Sequence, residues 1–324
     1  MEPQKEPQPS YLPYPPQSDS NVDEIDVLEL FQALWKSKWL IVATTLVFAI
    51  ASVLYALSLP NIYKADTILA PVETSNSNSL SKMAGQLGGL AALAGVNLGG
   101  ADSSQTDLAV QVMKSRNFID FFINKHDLLV PIMAAKRWDL ETNKLILDDE
   151  LYDAHSDEWL RDPIGLRGAK PTAQEAFKVF REDIFDVSQD KDTGLYQVSI
   201  KYYSPFIAAQ WVTWLVEDIN KVMRERSIAE TSQNLNYLNT QLEKTAVADM
   251  QSTFYKLIEE QTKSLMLAEV QEEFVFKVVD PAVAPELKYE PKRAIICIVG
   301  TLLGSIFSGI FILLRFVFGN RELK

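Results

Sequence analysis

Ala294-Ile-Ile-Cys-Ile-Val-Gly-Thr-Leu-Leu-Gly-Ser-Ile-Phe-Ser-Gly-Ile-Phe-Ile-Leu-Leu314 is a run of 21 residues without a charge. As a helix rising 1.5 Å per residue it reaches about 31 Å, the thickness of the hydrocarbon layer of a bilayer. A second uncharged run of the same length extends from Trp39 to Leu59. Both are predicted to be transmembrane helices. A pair of buried core helices would usually be shorter and carry a polar stripe. A cleaved signal peptide would have a short positive leader and a shorter apolar stretch. Here 38 mostly polar residues, rich in acids, precede the first span.

Two spans put both termini on one side of the membrane and residues 60–293 on the other. Lys36 and Lys38 before the first span, with Arg315, Arg321 and Lys324 after the second, favour cytoplasmic termini. Lys64, Lys288, Lys292 and Arg293 flank the opposite face and oppose that vote. The expected layout is a Pro-rich cytoplasmic tail over residues 1–22 and an amphipathic juxtamembrane helix over 23–38. Spans follow at 39–59 and 294–314, around a large periplasmic domain of 60–293, and a short tail at 315–324 closes the chain.

Composition excludes several classes. The formal charge of -12 disfavours nucleic acid, whose phosphates require a basic face. With one cysteine, Cys297, and two histidines, His126 and His155, the chain can form no intramolecular disulfide and has no Cys/His cluster for a structural zinc site. The large loop is acidic and is expected to repel anionic lipid headgroups.

Inside the loop, Tyr63, Ala65, Thr67 and Leu69 alternate on one face of a predicted strand over residues 62–70. Phe274 to Asp280 reads as a second strand and Leu195 to Tyr202 as a third. Because the first two adjoin the two spans, they are expected to pair near the membrane. Residues 71–100 are rich in Ser, Asn and Gly, and the glycine-broken apolar run from Gly85 reads as a mobile or partner-packed segment. Thr106 to Leu128 has helical periodicity, and Thr172 with Glu175 makes a capping box for another helix.

Ser204-Pro205 pairs an N-cap residue with a proline at the first helical position. Neither Pro nor Gly then occurs before Pro281, so one helix is allowed from about 205 to 269, on the order of 90–100 Å long if unbroken. Ile207, Trp211, Trp214, Leu215, Ile219 and Val222 form a wide apolar stripe at its base. Arg224 to Asn234 has almost no apolar face, and steps of three and four resume at Leu235, Leu238 and Leu242. The alternative is two helices joined by a turn within Arg224–Asn234.

No catalytic constellation stands out. Phosphate-loop, nucleophile-elbow and metalloprotease signatures are absent. His126, at a helix end, reads as a cap or a solvated side chain. The carboxylate-dense stretch around His155, Asp148 to Glu158, reads as a solvated face, with cation binding the weaker alternative. No cofactor or metal site and no catalytic residue is assigned. The ten residues after the second span are too few to form an output domain.

Before the second span stands Asp280-Pro-Ala-Val-Ala-Pro-Glu-Leu-Lys-Tyr-Glu-Pro-Lys-Arg-Ala294. Pro281, Pro285 and Pro291 forbid helix and make a stiff strut. Gly300, Gly304 and Ser308 recur every four residues, a groove where another span can approach closely. Together with Ile25-Asp-Val-Leu-Glu-Leu-Phe-Gln-Ala-Leu-Trp-Lys-Ser-Lys-Trp39, these segments resemble the chain-length determinant proteins of bacterial surface polysaccharides, the Wzz-type polysaccharide co-polymerases of the kinase-free class. The similarity covers roughly residues 22–75 and 265–318.

The resemblance implies an α+β membrane protein in which two transmembrane helices flank a periplasmic α/β base with a very long helical arm. It implies a bacterial inner-membrane homo-oligomer, not an enzyme, that regulates O-antigen or related chain length with the polymerase and a lipid-linked polysaccharide as partners. The residues expected to matter are architectural: Pro281, Pro285 and Pro291 in the strut, Gly300 and Gly304 in span packing, and Leu235, Leu238 and Leu242 in arm contacts. The competing readings are a two-span periplasmic sensor, an export adaptor and, more distantly, an envelope glycan enzyme using carboxylates of Asp148–Glu158. Export adaptors usually pair two helices in a hairpin, whereas here one helix is expected to lead straight into a strand.

Overall fold

In the computed structural model, residues 35–72 and 101–319 are described. The Pro-rich tail, most of the juxtamembrane helix, the glycine-rich segment and residues 320–324 lie outside them. The chain divides into two units. One comprises the two apolar helices and the other residues 58–292.

The apolar helices are α1 (Lys38–Ser58) and α8 (Arg293–Gly319), numbered in chain order with the elements below. Over Lys38–Ser58 and Arg293–Arg315 they are long and apolar enough to cross a membrane, and little of either is buried inside the protein. Large apolar side chains such as Leu46, Val47, Phe307 and Phe311 are exposed along them, as expected of helices solvated by lipid rather than by a protein core.

The 58–292 unit is built on a four-stranded sheet. It consists of β1 (Tyr63–Pro71), β6 (Phe185–Gln189), β7 (Tyr196–Tyr202) and β8 (Phe276–Asp280), in the order β6-β7-β1-β8. Every pairing is antiparallel. The two strands that adjoin the spans pair with each other, and Tyr63 to Leu69 pair with Tyr202 to Tyr196 in register. The alternation in β1 works as the sequence predicts, with Ala65, Thr67 and Leu69 buried and Asp66 exposed. Strand β6 was not predicted. It follows a capped helix without a turn signal, through a single π-helical turn at Phe180–Ile184.

Helices α2 (Ala101–Lys114), α3 (Arg116–Lys125) and α4 (Leu129–Ala134) precede two small hairpins, β2 (Ala135–Asp139) with β3 (Lys144–Leu147) and β4 (Tyr152–Asp153) with β5 (Glu158–Trp159). The predicted helix over 106–128 is thus two helices. Ser115 interrupts it and caps the second, accepting a hydrogen bond from Phe118 N. Helix α5 (Ala173–Val179) has the predicted capping box of Thr172 and Glu175.

Helix α6 (Pro205–Lys244) starts at the Ser204 cap with Pro205 in its first turn, as predicted. Its base buries Trp211, Val212, Leu215 and Ile219 in one cluster with Leu69, Val198, Ile200 and Phe276 of the strands and Phe118, Phe122 and Phe180 of the helices. At roughly 1.5–3 kcal/mol for each large apolar side chain removed from water, this cluster is the main source of stability.

The expected unbroken helix over 205–269 is corrected. The chain leaves helix at Thr245–Val247, and α7 (Ala248–Val270) runs back along α6. Arg224 on α6 donates to the carbonyl of Gln271, at the end of α7, at 3.0 Å, which closes the base of a helical hairpin. Nor does the turn fall in Arg224–Asn234, which stays helical. The break has no Pro or Gly. Thr245 and Val247 are β-branched and extended. Gln251 Nε2 donates to the carbonyl of Thr245 at 2.7 Å and so satisfies the turn. From Arg224 to Lys244 the arm projects on the order of 30 Å.

Candidate functional site

The structure places the predicted architectural residues in three regions. In the apolar pair, α8 packs on α1 through its glycines. A Cβ added to Gly300 would stand 2.4 Å from the Cβ of Ser52, and one added to Gly304 would stand 2.6 Å from the Cβ of Phe48. Any larger residue forces the helices apart. Ser308, the third small residue, is buried, and Phe48 stacks with Phe307 at 6.3 Å. The span that approaches the small-residue groove is the chain's own first span.

In the 58–292 unit, the segment carrying Pro281, Pro285 and Pro291 contains no helix and turns back to the start of β1. Ile62 N donates to Glu290 O at 2.9 Å, and Tyr289 N to Ile62 O at 2.8 Å. The strut therefore rejoins the opening of the domain. Pro281 is the only one of the three prolines that lines the cleft described below.

In the hairpin, Leu235, Leu238 and Leu242 are half-buried at helical steps, as are Gln251, Phe254, Ile258 and Leu265 on α7, while Asn234 and Glu260 are exposed. This is a two-helix seam within one chain. Helices α6 and α7 pack against each other, and these leucines are half-buried positions of α6 within the hairpin.

Two polar groups of α6 were not singled out from the sequence. Asn220, 4% exposed, accepts from the amides of Val275 and Phe276 and donates to the carbonyl of Phe276, all at 2.9 Å. One side chain thereby occupies the outer edge of β8 where it begins, and Glu273 caps the amide of Val278 at 3.1 Å. Such groups blunt an edge strand against pairing with foreign strands. Two residues earlier, buried Asp218 pairs with Lys125 and, at 2.9 Å, with His126 Nε2. The imidazole stacks on Trp214 with ring centroids 4.2 Å apart. His126 is the C-cap of α3, as the sequence suggested, but its ring is largely enclosed rather than solvated. A polar residue among the apolar stripe of α6 was the only available signal.

A cleft of about 470 Å³ lies between α6 and β8, lined by Thr67, Val216, Asn220, Lys221, Arg224 and Pro281 among others. Its charges are mixed, with Glu217, Glu272 and Glu273 beside the two cations. No nucleophile–base pair converges there.

The carboxylate-dense stretch around His155 folds into the β4–β5 hairpin. Asp153 accepts from the amide of His155 and the hydroxyl of Ser156, and both bonds hold its carboxyl below the usual range. Among the described residues, no group of three or more His, Cys, Asp or Glu side chains is arranged to hold a metal ion. Close by, Arg161 forks onto both oxygens of Glu175 at 2.9 and 2.7 Å. With the amide of Thr172, this lowers the carboxyl of Glu175 from 4.5 to about 2.

Residues 23–126 match the family of chain length determinant proteins, Wzz. That match covers 104 of the chain's 324 residues. The match runs through the first span, β1 and α3. Among solved structures, a full-length bacterial polysaccharide co-polymerase shares 13% identity, with 92% of this chain and 100% of that chain covered and a TM-score of 0.40. A fragment of WzzB, a polysaccharide co-polymerase from Salmonella Typhimurium, shares 10% identity, covering 71% and 99% of the respective chains with a TM-score of 0.28. No curated protein matches.

Proposed function

We propose that this protein sets the length of O-antigen or a related surface polysaccharide by forming a homo-oligomeric scaffold that acts with the polymerase on a lipid-linked glycan. In this reading both apolar helices span the bacterial inner membrane, both termini are cytoplasmic and the 58–292 unit is periplasmic. The observation that carries it is the family match across the first span and the start of the domain, joined to a single large unit between two apolar helices. The role is architectural. Gly300 and Gly304 hold the spans together, Pro281, Pro285 and Pro291 fix the return to the second span, and the hairpin projects away from the sheet.

The α6–α7 hairpin removes one argument against an export adaptor, since paired helices also suit that class. One experiment separates the readings. A strain lacking the gene is expected to lose the modal length of its glycan ladder, and the plasmid-borne gene to restore it. An unchanged ladder with impaired export of another substrate would favour the adaptor. Size measurement of the detergent-extracted full chain is expected to give a multiple of 36.5 kDa.

A further inference from the structure

Lys64 on β1 and Lys201 on β7 are direct cross-strand partners. Like charges placed opposite each other destabilise a sheet, so the pairing needs compensation. Both ammonium groups sit over the same ring, that of Tyr289, with Lys201 Nζ 5.0 Å and Lys64 Nζ 5.6 Å from its centroid. Glu290 at 3.0 Å answers Lys201, which also feels Asp186. Among the described residues, no carboxylate lies within ion-pair distance of Lys64. Lys288 adds a third cation at this end of the sheet, donating to the amide oxygen of Asn61 at 3.4 Å.

Apolar side chains accompany these charges. Leu287 is 84% exposed, Phe206 54% and Tyr289 43%. Trp138 meets Tyr63 and Phe206 edge-on at 5.8 and 6.0 Å. Exposed aromatic rings next to lysines are the composition of a headgroup-level belt. Sequence supplies the location. Ile62 follows Ser58, the end of the first apolar helix, by four residues, and Glu290 precedes Arg293, the start of the second, by three. The Ile62–Glu290 bridge thus lies only a few residues from lipid on both strands of the chain.

We propose that this end of the sheet docks on anionic phospholipid headgroups, with Lys64 and Lys288 engaging their phosphates while Phe206, Leu287 and Tyr289 enter the interface. Local charge overrides the acidic average of the domain because screening confines each contribution to about 8 Å at physiological salt. The inference rests on the membrane anchoring proposed above. Failure of that anchoring would appear separately, as a chain that stays soluble without detergent.

The test uses the full chain in mixed micelles, with retained phosphatidylglycerol and phosphatidylcholine counted by native mass spectrometry. Wild type is expected to retain phosphatidylglycerol preferentially, and Lys64→Gln with Lys288→Gln to weaken that preference by about fivefold per lysine. Lys36, Lys38 and Arg315 stay unchanged as the control for the other membrane face. Should the double variant misfold, the wild-type preference must still fall between 50 and 500 mM salt. Equal retention of both lipids, or a preference insensitive to both charge removal and salt, overturns the proposal. So does displacement of the lipid by inorganic phosphate at equal concentration, which would make the face a site for free phosphate.

Discussion

Asn220 holds Phe276 by both of its backbone polar groups, with the side-chain amide standing where a neighbouring strand would pair. Helix α6 and strand β8 are fastened through that one side chain, 56 residues apart in sequence. Replacement of Asn220 by Leu would leave the amides of Val275 and Phe276 and the carbonyl of Phe276 buried without partners. At about 1–3 kcal/mol for each unsatisfied group, reduced by local relaxation, N220L is expected to cost about 3 kcal/mol. Thermal unfolding of the detergent-solubilised chain checks this. Unchanged stability would mean that the edge is satisfied by other groups.

Gly300→Leu and Gly304→Leu are expected to separate the apolar helices, because even a methyl group meets Ser52 or Phe48 well inside van der Waals contact. Overpacking of this kind costs about 1–3 kcal/mol. The readouts are oligomer yield in detergent and the glycan ladder. Unaltered assembly together with an unaltered ladder would remove the glycines from the mechanism.

The hairpin is tested by a distance. Spin labels at Asn234 and Glu260 should lie about 10–20 Å apart if α7 returns beside α6, given helix axes about 8–10 Å apart. A continuous rod would separate them by roughly 39 Å.

Glu175 gives a pH dependence. Its carboxyl is depressed to about 2 by Arg161 and the capping contacts, so the folded state binds the proton less tightly than the unfolded chain. The resulting stability is complete above pH 4.5, the ordinary value, and is lost as pH falls toward 2. E175Q is expected to lower the melting temperature at pH 7 and to narrow its gap from wild type through that window. A gap independent of pH would show that the loss comes from packing rather than from charge.

The legible parts of the fold were those in which one residue type enforces one geometry. Ser204-Pro205 and Thr172 with Glu175 started helices where their hydrogen-bonding capacity predicts, and the alternation of Ala65, Thr67 and Leu69 gave β1 its buried face. The turn at Thr245–Val247 was not legible. It accompanies the packing of α7 back along α6, and an absence of breakers never required the helix to continue. Asn220 and Asp218 were hidden for the opposite reason. Polar side chains on a helix read as solvated until another element is seen to cover them. Strands β2 to β5 are too short for a periodic pattern to register.

The clasp between Arg224 and Gln271 makes the arm a closed excursion that departs from and returns to one place. Matched residues added to or deleted from both helices near the tip change its reach by about 1.5 Å per pair. Neither the sheet nor the apolar helices are obliged to adjust. Reach is therefore a quantity that mutation can tune independently of folding, so a family of such arms could differ in extent while sharing one foundation.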